Sequence, residues 1–139
     1  MRVGVIGLGF RLGYLARVFS LARADFTVVG YVDPAPAGLP YTKQHGIDVG
    51  TQYQSLEAML DDAKLDLLMV GSPNHLHLEH IRTGLARGLK IFTEKPVVSS
   101  IEDTMALAEL LGEHGSDRVM VGLVLRYAPL YKDLRKAQA

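Results

Sequence analysis

Apolar residues along this chain alternate between short continuous runs and helical spacing. Residues 3–6 form the first run, and the apolar side chains after it recur on one helix face: Leu12, Leu15, Ala16 and Phe19. Similar runs predict further strands at residues 26–32, 49–53, 65–70, 90–93 and 119–125. Helical spacing separates these runs. Because parallel strands need such crossovers, the pattern predicts an α/β fold with a doubly wound parallel sheet.

Local signals mark where several predicted helices begin and end. The proline-rich segment 33–40 predicts a loop, and a short helix after it is expected to end at Gly46. Ser99 and Glu102 have the spacing of a capping box. That box would open a helix carrying Met105, Ala108 and Leu111. Pro129 suits the first turn of a final helix.

Composition excludes several classes of protein. Of the 139 residues, 48% are hydrophobic, which is typical of one globular domain with a real core. Fifteen basic and fifteen acidic residues balance, so no charge pattern favours nucleic acid or a membrane as a partner. The chain contains no cysteine, and its apolar runs are too short to span a bilayer. A soluble cytoplasmic protein is therefore expected.

The first predicted turn has the features of a phosphate-binding loop. In the sequence "GLGF", Gly7 would make the tight turn, and Gly9 would let the backbone approach a pyrophosphate at the start of a helix. The same glycines could instead form a turn that binds nothing. Asp33 follows the second predicted strand about 20 residues after the loop, where a carboxylate can hold ribose hydroxyls. This order favours Rossmann-type dinucleotide binding.

One position departs from the usual fingerprint. The third glycine of such loops falls at Leu12 here, and Gly13 follows one position later. The third glycine normally allows close packing between helix and strand. Packing around Leu12 must therefore accommodate a large side chain.

The second half of the chain carries a more specific signal. It reads "SPNHLHLEHIRTGLARGLKIFTEKPVV" from Ser72 to Val98, with "YVDP" before it and "VGLVLRYAPLY" after it. With the Glu94-Lys95-Pro96 turn, these segments resemble the N-terminal domain of the Gfo/Idh/MocA oxidoreductases, the relatives of glucose–fructose oxidoreductase and inositol 2-dehydrogenase. The resemblance covers essentially the whole chain. It implies hydride transfer between NAD and a secondary alcohol or carbonyl of a sugar, cyclitol or related polyol.

The resemblance also implies roles for individual residues. The backbone of the glycine loop would surround the pyrophosphate, Asp33 would bind the adenosine ribose, and Lys95 would act beside the reacting oxygen. The implied cofactor-binding residues are Gly7, Gly9, Phe10, Arg11, Asp33, Ser72, Pro73, Asn74, His77, Glu94, Lys95 and Arg126. Apart from the resemblance, each follows a predicted strand, where ligands bind in open α/β sheets.

Lys95 is the candidate catalytic residue. A lysine beside an alcohol can stabilise developing negative charge or relay a proton. The alternative is an ordinary exposed lysine before a turn-forming proline. NAD is expected in preference to NADP, because Asp33 is followed by residues 34–37 without an arginine to meet a 2′-phosphate.

The histidine-rich segment "HLHLEH" is not expected to bind a metal. His75 and His77 would share a direction on a strand, but on a helix they diverge by about 200°. Pro73 and Asn74 are typical of a helix entrance. His77 is therefore expected to pack against the core or the cofactor, and no metal is assigned.

Members of the family are considerably longer than this chain. The resemblance implies that residues 1–125 form the dinucleotide-binding domain, and that residues 126–139 begin the connection to a C-terminal substrate domain absent from this chain. The full-length form would be a homo-oligomer. Two alternatives stay open: a stand-alone nucleotide-binding module with a sensing or assembly role, and, more distantly, a methyltransferase that holds S-adenosylmethionine in the same loop.

Overall fold

The computed structural model describes residues 1–123 and 128–137. Six β-strands lie among these residues: β1 Arg2–Ile6, β2 Thr27–Val32, β3 Thr51–Gln52, β4 Leu67–Val70, β5 Lys90–Thr93 and β6 Val119–Val121. The α-helices of the same residues are α1 Phe10–Ala22, α2 Leu39–Gln44, α3 Leu56–Asp62, α4 His77–Ala86, α5 Ile101–His114 and α6 Pro129–Ala137. A short 3-10 helix, Asn74–Leu76, precedes α4, and another, Ser116–Arg118, precedes β6.

The strands form one parallel sheet in the order β3-β2-β1-β4-β5-β6. The chain builds outward from β1 to β3, returns to the centre, and builds outward again from β4 to β6. This order is the Rossmann arrangement, in which a crevice opens where the direction of building reverses. The predicted doubly wound sheet is confirmed, and the crevice lies between β1 and β4.

Two apolar layers cover the sheet. Side chains in β1 alternate, so that Val3 and Val5 face α1 and α2, whereas Ile6 faces α3, α4 and α5. The helix face predicted for α1 is buried at Leu12, Leu15 and Ala16. The second layer includes Met59, Leu68, Ile81, Leu85, Ile91 and Leu107. Burial on both faces explains why the strands are nearly continuous hydrophobic runs.

The cap of α5 differs from the expected one. Ser100, not Ser99, is the N-cap residue, and its hydroxyl accepts a hydrogen bond of 3.0 Å from the Asp103 N–H. The predicted capping box of Ser99 and Glu102 is therefore wrong by one position. Two adjacent serines followed by two adjacent acids make both registers possible in sequence, and packing selects the second.

The buried face of α5 also differs from the predicted one. Met105 is 63% exposed and Ala108 is exposed, whereas Leu107 is buried, with Leu110 and Leu111 partly buried beside it. Spacing alone allowed either stripe. Packing of Leu107 against the sheet selects this face, so only Leu111 of the predicted set faces inward.

Several boundaries are shorter than expected. α2 begins at Leu39, inside the predicted loop, and β3 has only two residues. β6 ends at Val121, and positions 124–125 of the predicted strand lie outside the described residues. The final helix begins at Pro129, as predicted. Within residues 1–123 and 128–137, no helix combines the length and the apolar character needed to cross a bilayer.

Candidate functional site

The residues that follow the strands meet along one edge of the sheet. Each donates its N–H to the last carbonyl of a neighbouring strand, at 2.8–2.9 Å: Gly7 to Val32, Gly71 to Ile6, Glu94 to Val70, and Gly122 to Thr93. These bonds extend the parallel ladder by one residue beyond each strand. The edge of the candidate site is therefore built by main-chain hydrogen bonds, independently of which side chains project from it.

Gly7 and Gly9 have different structural reasons to be glycine. Gly7 has a φ of +83°, and a Cβ there would lie 2.5 Å from the backbone nitrogen of Ser72. Gly9 has an extended backbone with a φ of −73°, and a Cβ there would have no atom of the described residues within 4 Å. The fold therefore requires glycine at position 7. At position 9 it leaves open space beside the backbone.

The N-terminus of α1 opens beside Gly9. Gly9 is its N-cap, so no side chain caps the helix, and the first turn holds no acidic residue. Within the described part of the chain, the first N–H groups of α1 are therefore available to a ligand or water. Such a helix end, reached over a glycine with free space, suits an anion such as a pyrophosphate. Phosphate binding at this loop stays a prediction, with which the open helix end is compatible.

The departure at the third glycine is compensated elsewhere. Leu12 is buried, and a Cβ on Gly71 would lie 2.6 Å from its Cδ1 atom. The usual fingerprint has a glycine on the helix at position 12. Here the helix has Leu12, and the space for its side chain comes from Gly71 after β4. Gly13 packs toward the loop before α2, where a Cβ would lie 3.1 Å from the Gly38 carbonyl oxygen. Close packing is preserved by glycines at other positions.

Asp33 lies at the end of β2, next to the glycine loop. Its Oδ1 accepts a hydrogen bond of 2.8 Å from the Ala35 N–H, and its carbonyl accepts one of 2.9 Å from Gln52. The loop after it is tied to the glycine loop by the Gly38 N–H, which donates to the Leu8 carbonyl at 2.9 Å. Asp33 thus does form a turn, and its role toward a ribose stays a prediction.

A cleft of about 400 Å³ opens beyond β1, β4 and β5. It is lined by Arg11, Gly71, Ser72, Asn74, His77, Glu94, Lys95 and Gly122. Six of these were predicted site residues. The two glycines were not predicted, although each directly follows a strand, which is the signal that could have identified them.

Other predicted residues lie outside this cleft. Gly7, Gly9 and Asp33 lie along the neighbouring part of the same edge, beyond β1 and β2. The Phe10 side chain is 63% exposed and packs edge-on against Tyr41, with ring centroids 5.2 Å apart. Only its backbone could contact a pyrophosphate. Pro73 is exposed before the 3-10 helix, and Arg126 lies outside the described residues.

An ion pair that was not predicted connects α1 to the end of β5. Arg11 Nε lies 3.0 Å from Glu94 Oε1, and the Glu94 side chain is only 13% exposed. Lys95 is exposed, and in the described ranges no carboxylate lies within ion-pair distance of its amino group. The acid of the Glu94-Lys95 pair is thus engaged within the protein, while the base is directed to a ligand or solvent.

The histidines of the "HLHLEH" segment diverge. His75 is exposed on the 3-10 helix, whereas His77 begins α4 and is 1% exposed. His80 Nδ1 lies 2.9 Å from the Ser72 hydroxyl. Burial lowers the pKa of His80 below its usual value. In residues 1–123 and 128–137, no three histidine or acidic side chains form a group that could hold a metal ion.

Comparison of this sequence with models of known protein families identifies the family to which the chain belongs. A family described as "Oxidoreductase family, NAD-binding Rossmann fold" matches residues 1–123. The chain belongs to the Gfo/Idh/MocA family. The match confirms the resemblance that the glycine loop and the Glu94-Lys95-Pro96 turn indicated.

Relatives within the Gfo/Idh/MocA family include dehydrogenases of inositols. The scyllo-inositol 2-dehydrogenase (NAD(+)) of Bacillus subtilis (strain 168) is 30% identical over 141 residues, covering 98% of this chain and 39% of that enzyme. The crystal structure of myo-inositol 2-dehydrogenase from Lactobacillus plantarum matches with a TM-score of 0.82 at 25% identity, covering 99% of this chain and 40% of that one.

A third relative shares the fold at lower identity. Scyllo-inositol dehydrogenase from Lactobacillus casei, solved with NAD(H) and scyllo-inositol, has a TM-score of 0.80 at 23% identity. The chain spans about two fifths of the length of these relatives. The comparison therefore concerns their dinucleotide-binding part.

Proposed function

We propose that this chain is the NAD(H)-binding domain of an oxidoreductase acting on a sugar, cyclitol or related polyol. The observation that carries the proposal is the convergence of three elements on one sheet edge. The glycine loop leads to an uncapped helix, Asp33 lies beside it, and Lys95 lines the adjoining cleft. In the proposal, residues 126–139 connect to a substrate domain.

The donor and acceptor groups along the edge fit a dinucleotide. The free N–H groups of α1 suit the pyrophosphate, and the Asp33 carboxylate suits ribose hydroxyls. The cleft beyond them has room for a nicotinamide between Arg11, Asn74 and Glu94. When bound, the nicotinamide would accept or return a hydride. All other chemistry has to come from the residues of the protein and from the substrate.

Lys95 is the residue proposed to act on the substrate. During oxidation of a secondary alcohol, the hydride leaves carbon while the proton leaves oxygen. The Lys95 amino group would hydrogen-bond to that oxygen, stabilising its developing negative charge or taking up its proton. The Arg11–Glu94 pair keeps the neighbouring carboxylate away from the lysine, because Glu94 already has a cationic partner at 3.0 Å.

Replacing Gly9 by alanine is expected to weaken NADH binding without destabilising the fold. The backbone at Gly9 suits any residue, and the new methyl group would meet no atom of the described residues within 4 Å. It would instead occupy space needed by the pyrophosphate. Loss of one charge-assisted hydrogen bond, worth about 1.5–3 kcal/mol, would lower affinity by about 10- to 100-fold. Calorimetric titration with NADH measures the affinity, and urea denaturation measures stability.

Gly112→Ala supplies the matched control. Gly112 lies in α5, far along the chain from the glycine loop, and a Cβ there also has free space. This variant should bind NADH like the parent chain. If Gly9→Ala and Gly112→Ala bind NADH with equal affinity, the pyrophosphate does not contact the backbone at Gly9. A parent chain that binds no NADH would contradict the proposed function itself.

NADH is expected to bind at least about tenfold more tightly than NADPH. The Asp33 carboxylate would face the 2′-phosphate, and like charges placed together at an interface cost several kcal/mol. Asp33→Asn removes the charge but keeps an oxygen that can accept the Ala35 N–H bond, so it should narrow the difference. Parallel calorimetric titrations of both cofactors measure this. Tighter binding of NADPH by the parent chain would contradict the assignment.

A further inference from the structure

His77 bridges the two loops that line the cleft. It is the first residue of α4 and lies beneath the cleft surface, 1% exposed. Its Nδ1 atom lies 2.9 Å from the Pro96 carbonyl oxygen, and its Nε2 atom lies 2.8 Å from the Ser72 carbonyl oxygen. Pro96 directly follows Lys95, and Ser72 belongs to the loop after β4. One buried ring therefore contacts the loop of the candidate catalytic residue and the loop opposite it.

The chemistry of these two partners bears on which ring nitrogens of His77 carry a hydrogen. A backbone carbonyl oxygen can only accept a hydrogen bond, so both ring nitrogens of His77 have to donate. A neutral imidazole carries a hydrogen on one nitrogen alone, and its bare nitrogen would face a carbonyl oxygen at less than 3 Å. Only the imidazolium satisfies both contacts. Within the described residues, no buried side-chain nitrogen or oxygen lacks a hydrogen-bond partner.

Both ring nitrogens of His77 contact backbone carbonyl oxygens and not charged side chains. Glu79 of α4 and Glu57 of α3 act on His80, one helical turn from His77, whereas Arg11, Glu94 and Lys95 line the cleft together with His77. Glu94 is paired with Arg11. Burial lowers the pKa of His80, the nearby carboxylates oppose this, and positive charge at His77 lowers it as well. Two carbonyl dipoles, rather than a carboxylate, thus contact the proposed cation directly.

The Ser72 side of the bridge is itself anchored. The Ser72 hydroxyl lies 2.9 Å from His80 Nδ1, one helical turn after His77. Gly71 before it is held by its N–H bond to the Ile6 carbonyl. α4 therefore contacts Ser72, in the loop after β4, through the side chains of both His77 and His80. His77 also contacts the carbonyl of Pro96, the residue directly after Lys95.

We infer that His77 is a positioning residue for Lys95, and that its ring is protonated at both nitrogens and ties the loop after β5 to the loop after β4. The link between the two loops is inferred from the hydrogen-bond distances of the His77 ring. Its consequence for the reaction rests on the proposed function, because only there does the placement of Lys95 matter.

The protonation of the ring can be tested directly. In the 139-residue chain with labelled histidines, both ring nitrogens of His77 should give the ¹⁵N signals of nitrogens bonded to hydrogen at pH 7. The exposed His75 on the 3-10 helix serves as the internal control for a histidine ring in contact with solvent. A His77 ring with one bare nitrogen at pH 7 would overturn the inference.

Two substitutions separate a tie from simple core filling. The amide nitrogen of asparagine can take the place of Nδ1 and keep the bond to Pro96, whereas that of glutamine can take the place of Nε2 and keep the bond to Ser72. His77→Gln should speed amide exchange at Glu94, whose N–H donates to the Val70 carbonyl just before Lys95, by about 10- to 100-fold, the loss expected for one hydrogen bond from a charged donor. His77→Asn should preserve most of that protection.

The remaining outcomes are distinct. Equal loss of protection in both variants, or in the His75→Gln control, would show that His77 merely fills space and would overturn the inference. NADH titration of the parent chain is run alongside. If the parent chain binds no NADH while the ring signals and exchange rates match expectation, the proposed function fails and the tie stands. If NADH binds but the ring is neutral, the inference alone fails.

Discussion

Alanine at position 7 is expected to destabilise the domain by about 2–5 kcal/mol. The backbone at Gly7 has a φ of +83°, which costs an ordinary residue about 1–2 kcal/mol. In addition, the new Cβ would lie 2.5 Å from the Ser72 nitrogen and from the Gly71 carbonyl oxygen, which are backbone atoms that cannot rotate away. Forced overpacking of this kind costs about 1–3 kcal/mol. Urea denaturation of the parent chain and the variant measures the difference.

Gly46→Ala isolates the clash from the backbone cost. Gly46 also has a positive φ, +66°, but a Cβ there has no atom of the described residues within 4 Å. Its loss should be only about 1–2 kcal/mol. If the two variants lose the same stability, β1 and β4 do not approach each other at the crevice as closely as the structure shows.

Alanine at position 95 is expected to lower turnover by about 10²- to 10⁴-fold in a full-length oxidoreductase that carries this domain. General acid–base and electrostatic roles typically contribute that much to rate. Thermal stability should hardly change, because Lys95 is exposed and pairs with no carboxylate of the described residues. Steady-state kinetics with a panel of inositols and sugars, followed by NADH absorbance, measures the turnover.

Lys90→Ala is the control for this measurement. Lys90 is also exposed, but it begins β5, whereas Lys95 follows the end of the same strand. The two lysines therefore lie at opposite ends of β5. Lys90→Ala should retain normal turnover. A Lys95→Ala variant with near-normal turnover would return Lys95 to the class of ordinary surface lysines, the alternative that its sequence context had left open.

Strands were predicted best where sequence signals enclosed them. The predicted strand 90–93 matches β5 Lys90–Thr93, because Gly88 stops the helix before it and the Glu94-Lys95-Pro96 turn follows it. β3 pairs with β2 at only two positions, so the apolar residues around it gave too long a strand. The register of α5 depended on Ser100 and Leu107, and that choice is made by tertiary packing.

For the candidate site, sequence predicted positions better than partners. Arg11 and Glu94 were both predicted near the cofactor, but they are 83 residues apart in the chain, and nothing in the sequence indicates that they pair. Gly71 was missed for a similar reason. Its need to be glycine arises from Leu12, which reaches it only after α1 has packed on the sheet. Contacts between distant segments were the part that sequence patterns could not supply.

The main-chain hydrogen bonds that join successive strand ends bear on how this domain diverges. Gly7, Gly71, Glu94 and Gly122 are aligned through their N–H groups, so the alignment itself needs no particular side chain, although close packing keeps glycine at positions 7 and 71. Mutation can therefore rewrite most neighbouring side chains without moving the rim on which a cofactor would rest. The myo-inositol 2-dehydrogenase of Lactobacillus plantarum keeps the same architecture at 25% identity. New substrate preferences can evolve on such a rim while its geometry is inherited unchanged.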